Sequence, residues 1–155
     1  IVRPVQFQLA RRDAAGSNAE RSACILDVGS GGGLPGVVLA IALPSCRVDC
    51  VDAVAKKVAF VRQVAAELGL SNLRALHSRV EDLQTPERSG QGYDLITSRA
   101  FASLSDFTTW TKHLLASRGV WAAMKGQRSG RGRPTSHASG SAPGARGLLF
   151  AGAAR

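Results

Sequence analysis

The stretch ILDVGSGGGLPG, residues 25 to 36, decides how the rest of the chain is read. An apolar run ends in an acid, Asp27, and four glycines then fall between residues 29 and 33. Glycine is unfavourable in ordered structure because it loses more backbone freedom on folding than any other residue. A cluster at the end of an apolar run therefore marks a tight turn or a backbone lying against a ligand.

On either side of that stretch, strand and helix signals alternate. ACILDV (23–28) is a short continuous apolar run, the pattern of a strand covered on both faces. LPGVVLAIAL (34–43) predicts a short helix with Pro35 tolerated in its first turn. RVDCVDA (47–53) predicts a second strand. Val54, Val58, Val61, Ala65 and Leu68 then recur at helical spacing, and Gly69 stops them. NLRALHS (72–78), YDLITSRA (93–100) and GVWAAMKG (119–126) predict the third, fourth and fifth strands. Leu104, Phe107, Thr111, Leu114 and Leu115 predict a helix between the last two, ended by Gly119. Such alternation gives an α/β fold, a mostly parallel, doubly wound sheet with helices on both faces. Ligands of these folds sit outside the carboxyl ends of the strands, where the opening glycines lie.

The chain of 155 residues is long enough for one domain with a real core. Residues 1–22 have weak periodicity and read as a short N-terminal segment, with DAAGSNAERS (13–22) as a loop. The folded domain is expected over 23–127. Beyond it, RSGRGRPTSHASGSAPGARG is without periodicity, and 128–155 reads as a disordered, low-complexity basic tail in which LLFAGAA is too short to fold. Net charge is +9, from 20 Lys+Arg against 11 Asp+Glu, and five of those arginines lie in the tail with no acid. That balance suits a nucleic-acid partner and suits an unstructured tail equally well. No apolar run is long enough for a membrane span, and no signal peptide is evident. Cys24, Cys46 and Cys50 are odd in number and lack metal-ligand spacing, so they read as buried thiols of a cytoplasmic protein and no metal is assigned.

Two patterns overlap in the loop. Gly31, Gly33 and Gly36 satisfy the dinucleotide G-x-G-x-x-G, a weak signal alone. Asp27, Gly29, Gly31 and Gly33 satisfy the more restrictive D-x-G-x-G-x-G of S-adenosylmethionine enzymes. A dinucleotide brings a pyrophosphate to the helix N-terminus, which an acid at Asp27 would repel. An amino-acid ammonium would be favoured there, directly or through water. Asp52, at the end of the second strand, can accept from ribose hydroxyls in either class. The structural alternative is that Asp27 caps loop amides and Asp52 caps the next helix. Val80 and Glu81 stand where an adenine ring could be held, although an acid after a strand is more often solvated or a cap. His77 reads as structural. Arg99, at the end of the fourth strand, could clamp a cofactor carboxylate or an RNA phosphate, and Lys125 stands on the same rim.

DVGSGGGLPG, SRVED and SRAFASL followed by MKGQ resemble the bacterial small-subunit (16S) ribosomal RNA methyltransferase G family, also called glucose-inhibited division protein B. The resemblance runs from about residue 24 to 127. It implies a Rossmann-like class I S-adenosylmethionine-dependent methyltransferase that acts on N7 of a guanine in 16S rRNA. Carried over by motif, it implies cofactor contacts at Gly29, Leu34, Val80, Glu81 and Arg99. The general methyltransferase pattern adds Asp52 and the other loop glycines. Family members carry a longer helical segment before the loop and further strands after KGQ, so this chain is read as shortened at its N-terminus with an atypical C-terminal tail.

Guanine N7 presents a lone pair and carries no proton, so no general base is needed and no catalytic residue is assigned. Arg99 and Lys125 are the RNA-contact candidates. The expected partner is 16S rRNA or the small ribosomal subunit, met by a cytoplasmic monomer away from membranes. Two other readings stay open: a nicotinamide-dependent oxidoreductase, and an inactive remnant that binds cofactor or RNA without turnover.

Overall fold

The apolar runs read above become strands because they are buried on both faces. In the computed structural model, which describes residues 1–14, 22–85, 92–99, 103–124 and 148–152, these are β1 (Cys24–Val28), β2 (Arg47–Asp52) and β4 (Tyr93–Ser98). Every residue of β1 and β4 is buried. β3 (Leu73–His77) alternates buried and exposed positions, as a strand at the sheet margin does. β5 (Leu115–Met124) completes a parallel set, and β6 (Leu148–Gly152) runs antiparallel beside it. The order is β3-β2-β1-β4-β5-β6. The chain moves outward from β1 to β3 and then returns to β1's other side. Strand order thus reverses between β1 and β4, the position where such sheets open a crevice.

Helices α1 (Val2–Ala14), α2 (Gly36–Ala42) and α3 (Ala55–Glu67) cover one face, and α4 (Leu104–Thr111) covers the other. The core divides accordingly. Ile25, Val48 and Leu95 point with Leu39, Val58 and Val61 to the first side; Leu26, Val51 and Ile96 point with Phe107 and Leu114 to the second. Alternation along β1 therefore sends Asp27 toward α2 and Val28 toward α4. Gly69 ends α3 in the left-handed region, φ +62°, with Leu70 N donating to Ala65 O at 2.9 Å. The amide of Asn72 secures the exit of α2 by donating to the carbonyls of Ala40, Leu43 and Cys46. At the amino ends of the strands, buried Asp49 accepts from Arg74 at 2.8 Å and from the Tyr93 hydroxyl at 2.8 Å. Burial pushes the Tyr93 phenol up, so it stays a donor.

Three elements differ from the sequence expectation. The weakly periodic N-terminus forms α1, whose Val5 and Leu9 pack into the first core half. Among its described side chains only Val5 and Leu9 are buried, set among arginines and glutamines, which is why its periodicity is faint. The helix expected to reach Gly119 stops at Thr111, followed by a 3-10 turn (Lys112–Leu114), and Leu115 already belongs to β5. Gly119 lies inside that strand where the register with β4 jumps, Tyr93 facing Leu115 but Leu95 facing Val120. A Cβ there would stand 2.7 Å from the carbonyl oxygen of Tyr93, so the bulge needs glycine. Finally, the tail expected to be disordered contributes β6: LLFAG supplies an apolar run to the edge that β5 would otherwise leave open. Residues 128–147 and 153–155 of that tail lie outside the described residues, as does the loop 15–21. Among the described residues no helix is long and apolar enough to cross a membrane.

Candidate functional site

The loop after β1 is held by its own backbone. Gly29 and Ser30 donate to Val51 O at 2.8 and 3.2 Å, and Gly33 and Leu34 donate to Ser30 O at 2.8 and 3.2 Å. Gly31 N donates to Asp52 Oδ2 at 3.0 Å. Gly29, Gly31 and Gly33 all have positive φ (65°, 57° and 82°), which explains glycine at alternate positions. At the mouth of α2, Gly36 N donates to Asp27 Oδ2 at 2.8 Å. A Cβ on Gly36 would overlap Cys50 Sγ and crowd Asp27, so a side chain is excluded there too.

This arrangement separates the two loop chemistries. A pyrophosphate needs bare amides at the helix start. Here the amides of residues 29, 30, 31, 33, 34 and 36 each donate within the protein, and the helix entrance faces a carboxyl group. The loop offers no such anion cradle.

Asp27 has no exposed surface, and its Oδ1 is without a hydrogen-bond partner among the described residues. Burial pushes its carboxyl up to about 7, against the Gly36 amide and the Arg99 guanidinium, which pull it down. The same burial, with Asp27 beside it, pushes the Cys50 thiol up, so that thiol is inert. All three cysteines are buried and none is in a disulfide. Asp52 is nearly buried, and both its oxygens take backbone amides, Gly31 N and Val54 N at 2.9 Å, with Lys57 Nζ 3.7 Å away. The structural role weighed for Asp27 is therefore realised at Gly36 N, whereas Asp52 binds the amide of Val54, the N-cap residue of α3, and does not itself cap that helix. A carboxylate oxygen has a second lone pair, so this does not exhaust Asp52 as an acceptor.

A cleft of ≈ 400 Å³ opens over the carboxyl ends of β1, β2 and β3. Its size is that of a small-molecule site. Gly29, Asp52, Val80 and Glu81 line it together, four of the residues picked from sequence. Val28, Val51, Ala53, Ser78 and Arg79 complete the floor and one side. Asp106 and Trp110 reach it from α4. Sequence reasoning missed these last two. Their only signal is their spacing of four, one helix face apart from the buried Phe107–Thr111 face.

The other predicted residues sit around the cleft rather than on it. Asp27 lies beneath the loop, and Gly31, Gly33 and Leu34 form the loop's crest. Arg99 is exposed, its Nε donating to Leu34 O at 2.7 Å, so it braces the crest from β4. Its position needs no bound anion. Lys125 lies outside the described residues. His77 bonds the Ala53 carbonyl at 3.1 Å, a structural contact.

A family model described as rRNA small subunit methyltransferase G matches residues 14–139. The chain belongs to that family. The match starts before residue 24 and passes Gln127, so the family likeness is wider than the motifs alone mark out. Among curated relatives, the ribosomal RNA small subunit methyltransferase G of Acidovorax ebreus (strain TPSY) is 52% identical over 126 residues, 81% of this chain and 53% of the relative. That of Methylibium petroleiphilum is 58% identical over 103 residues, 66% of this chain and 44% of the relative. The chain thus spans about half the length of the curated relatives it matches. Among solved structures, a SAM dependent methyltransferase from Aquifex aeolicus superposes with a TM-score of 0.57 at 19% identity over 82% of this chain and 69% of that one. PKMT2 from Rickettsia typhi, in complex with AdoHcy, gives 0.54 at 18% identity over 66% and 20%. The fold is that of the Rossmann-like methyltransferases, and membership of the G family sets aside the nicotinamide oxidoreductase.

Proposed function

We propose that the chain is the cofactor-binding part of an enzyme that transfers a methyl group from S-adenosylmethionine to N7 of a guanine in 16S rRNA. The observation that carries this reading is the family match over residues 14–139, which contains the whole cleft. The residues present fit the cofactor. The cleft offers carboxylates to ribose hydroxyls and an amino group, apolar valines to a ring, and a loop without a phosphate cradle.

S-adenosylmethionine, when bound, supplies an electrophilic methyl group. Asp52 takes the ribose hydroxyls while keeping the loop amide of Gly31. Val80 and Glu81 hold the adenine. Gly29, Gly31, Gly33 and Leu34 bring the backbone close to the amino-acid end. Arg99 braces that crest and attracts a carboxylate, and buried Asp27 fixes the loop to α2. Arg99 and Lys125 are the candidate RNA contacts, and the RNA is presented as 16S rRNA or as the small ribosomal subunit, to a monomer in the cytoplasm. Guanine N7 brings its own lone pair, so the protein's work is alignment and exclusion of water, with no acid or base assigned.

The test is calorimetric titration of the chain with S-adenosylhomocysteine, alongside Asp52→Ala, followed by transfer of labelled methyl to 16S rRNA. Saturable binding that Asp52→Ala weakens by about tenfold or more is expected, since a hydrogen bond to a charged group contributes roughly 1.5–3 kcal/mol. A folded chain that takes up no S-adenosylhomocysteine overturns the cofactor assignment. Binding without methyl transfer identifies the chain as the remnant that holds cofactor but does not turn over.

A further inference from the structure

Trp110 and Trp121 have opposite fates. Trp121 is 7% exposed and its Nε1 donates to Thr111 Oγ1 at 2.8 Å. Trp110 is 46% exposed and lines the cleft. An indole half in water at the mouth of an apolar cavity is a surface suited to a planar ligand. It is also held still. Phe107 and Thr111 on the neighbouring face of α4 are fully buried, Thr111 Oγ1 donates to Phe107 O at 2.6 Å, and Ser103 caps the helix at Asp106 N. Below, His113 bonds Leu83 O at 3.0 Å, tying the end of α4 to the segment that carries Val80 and Glu81. The two walls of the cleft are thereby linked.

We propose that Trp110 is the outer wall of a purine slot, stacking on the base of an adenine nucleoside whose ring otherwise meets Val28, Val51 and Val80. Three carboxylates, Asp52, Glu81 and Asp106, surround this apolar surface. Acceptors of that number match the hydroxyls and amino group of adenosine. Among the described residues Arg79 is the single cation in that lining, so the carboxylates outnumber it three to one. The inference rests on the methyltransferase reading and assigns to it a residue on α4, the element on the far side of the sheet from the glycine loop's own helix.

The probe is S-adenosylhomocysteine, titrated into the full chain and into Trp110→Phe and Trp110→Ala, by calorimetry and by tryptophan fluorescence. Losing a base–aromatic stack lowers affinity by roughly 5- to 150-fold, so Trp110→Ala should fall in that range and Trp110→Phe should stay within about fivefold of the parent. The ligand should change the emission of the parent chain and leave that of Trp110→Phe, which retains buried Trp121, unaltered. If Trp110→Ala does not fold, the fluorescence pair decides. Unchanged affinity in Trp110→Ala, or an emission change that survives in Trp110→Phe, overturns the inference while leaving the cofactor assignment standing. Loss of methyl transfer without loss of S-adenosylhomocysteine affinity also overturns it, because the indole would then serve the RNA. No binding by the parent chain overturns both.

Discussion

A carboxyl group with no exposed surface is either ionised against strong partners or protonated, and Asp27 has, among the described residues, one backbone amide and an oxygen without a partner. Burial accordingly raises it to about 7 from its ordinary value of 3.8. Between those two values the folded chain keeps a proton that the unfolded chain has lost, so stability falls as pH rises. The stabilising difference is complete below about pH 4 and is gone above about pH 7, and it amounts to no more than about 4 kcal/mol. Asp27→Asn keeps an oxygen for Gly36 N and removes the ionisation. Urea unfolding should show the variant more stable than the parent at pH 8, with the gap closing toward pH 5. A gap independent of pH would contradict the assignment. Arg99 works in the opposite sense, and its own contact with Leu34 O ties the loop crest to the end of β4.

At the scale of elements, the β4–β5 bulge is a joint with no room for a side chain at Gly119. Gly119→Val would push a side chain into the Tyr93 carbonyl and the Leu115 side chain, 2.7 and 2.8 Å from where its Cβ must go. Overpacking of this kind costs about 1–3 kcal/mol, to be read as a lower urea midpoint with an unchanged slope. The parallel strands were legible because β1, β2 and β4 are buried on both faces and so read as unbroken apolar runs. The amphipathic pattern of α3 was legible as well, although only Val58 and Val61 of its five periodic residues are buried, and Val54 and Leu68 are exposed. The start of β5 was not, because Leu114 and Leu115 continue a helical spacing that tertiary pairing with Tyr93 interrupts. In the site, Asp52, Val80 and Glu81 carried a signal because they follow strand ends in sequence. Asp106 and Trp110 carried only their spacing of four, since they come to the cleft through the placement of α4 and not through a motif.

For the whole molecule, β6 decides whether the outer side of β5 is paired. It joins β5 from Val120–Gly152 to Met124–Leu148, across a stretch of chain no local pattern could have bridged. A chain ended after residue 147 should lose amide protection along Val120–Met124 in hydrogen exchange and should associate more readily, as light scattering would report, because an open edge templates pairing. Unaltered protection there would mean that the strand adds nothing to the sheet. The basic charge of +9 belongs to this scale too, since it favours an anionic polymer without marking where that polymer lies.

The close approach of Gly36 to the Cys50 sulfur has a consequence of another kind. The thiol lies under the first residue of α2, at the point where loop, helix and strand meet. A thiol reagent can reach it only after that corner has lifted, so the rate of its labelling is a clock for the breathing of the loop. Built into the sheet is a native reporter, one sulfur atom deep, that times how often the site comes apart.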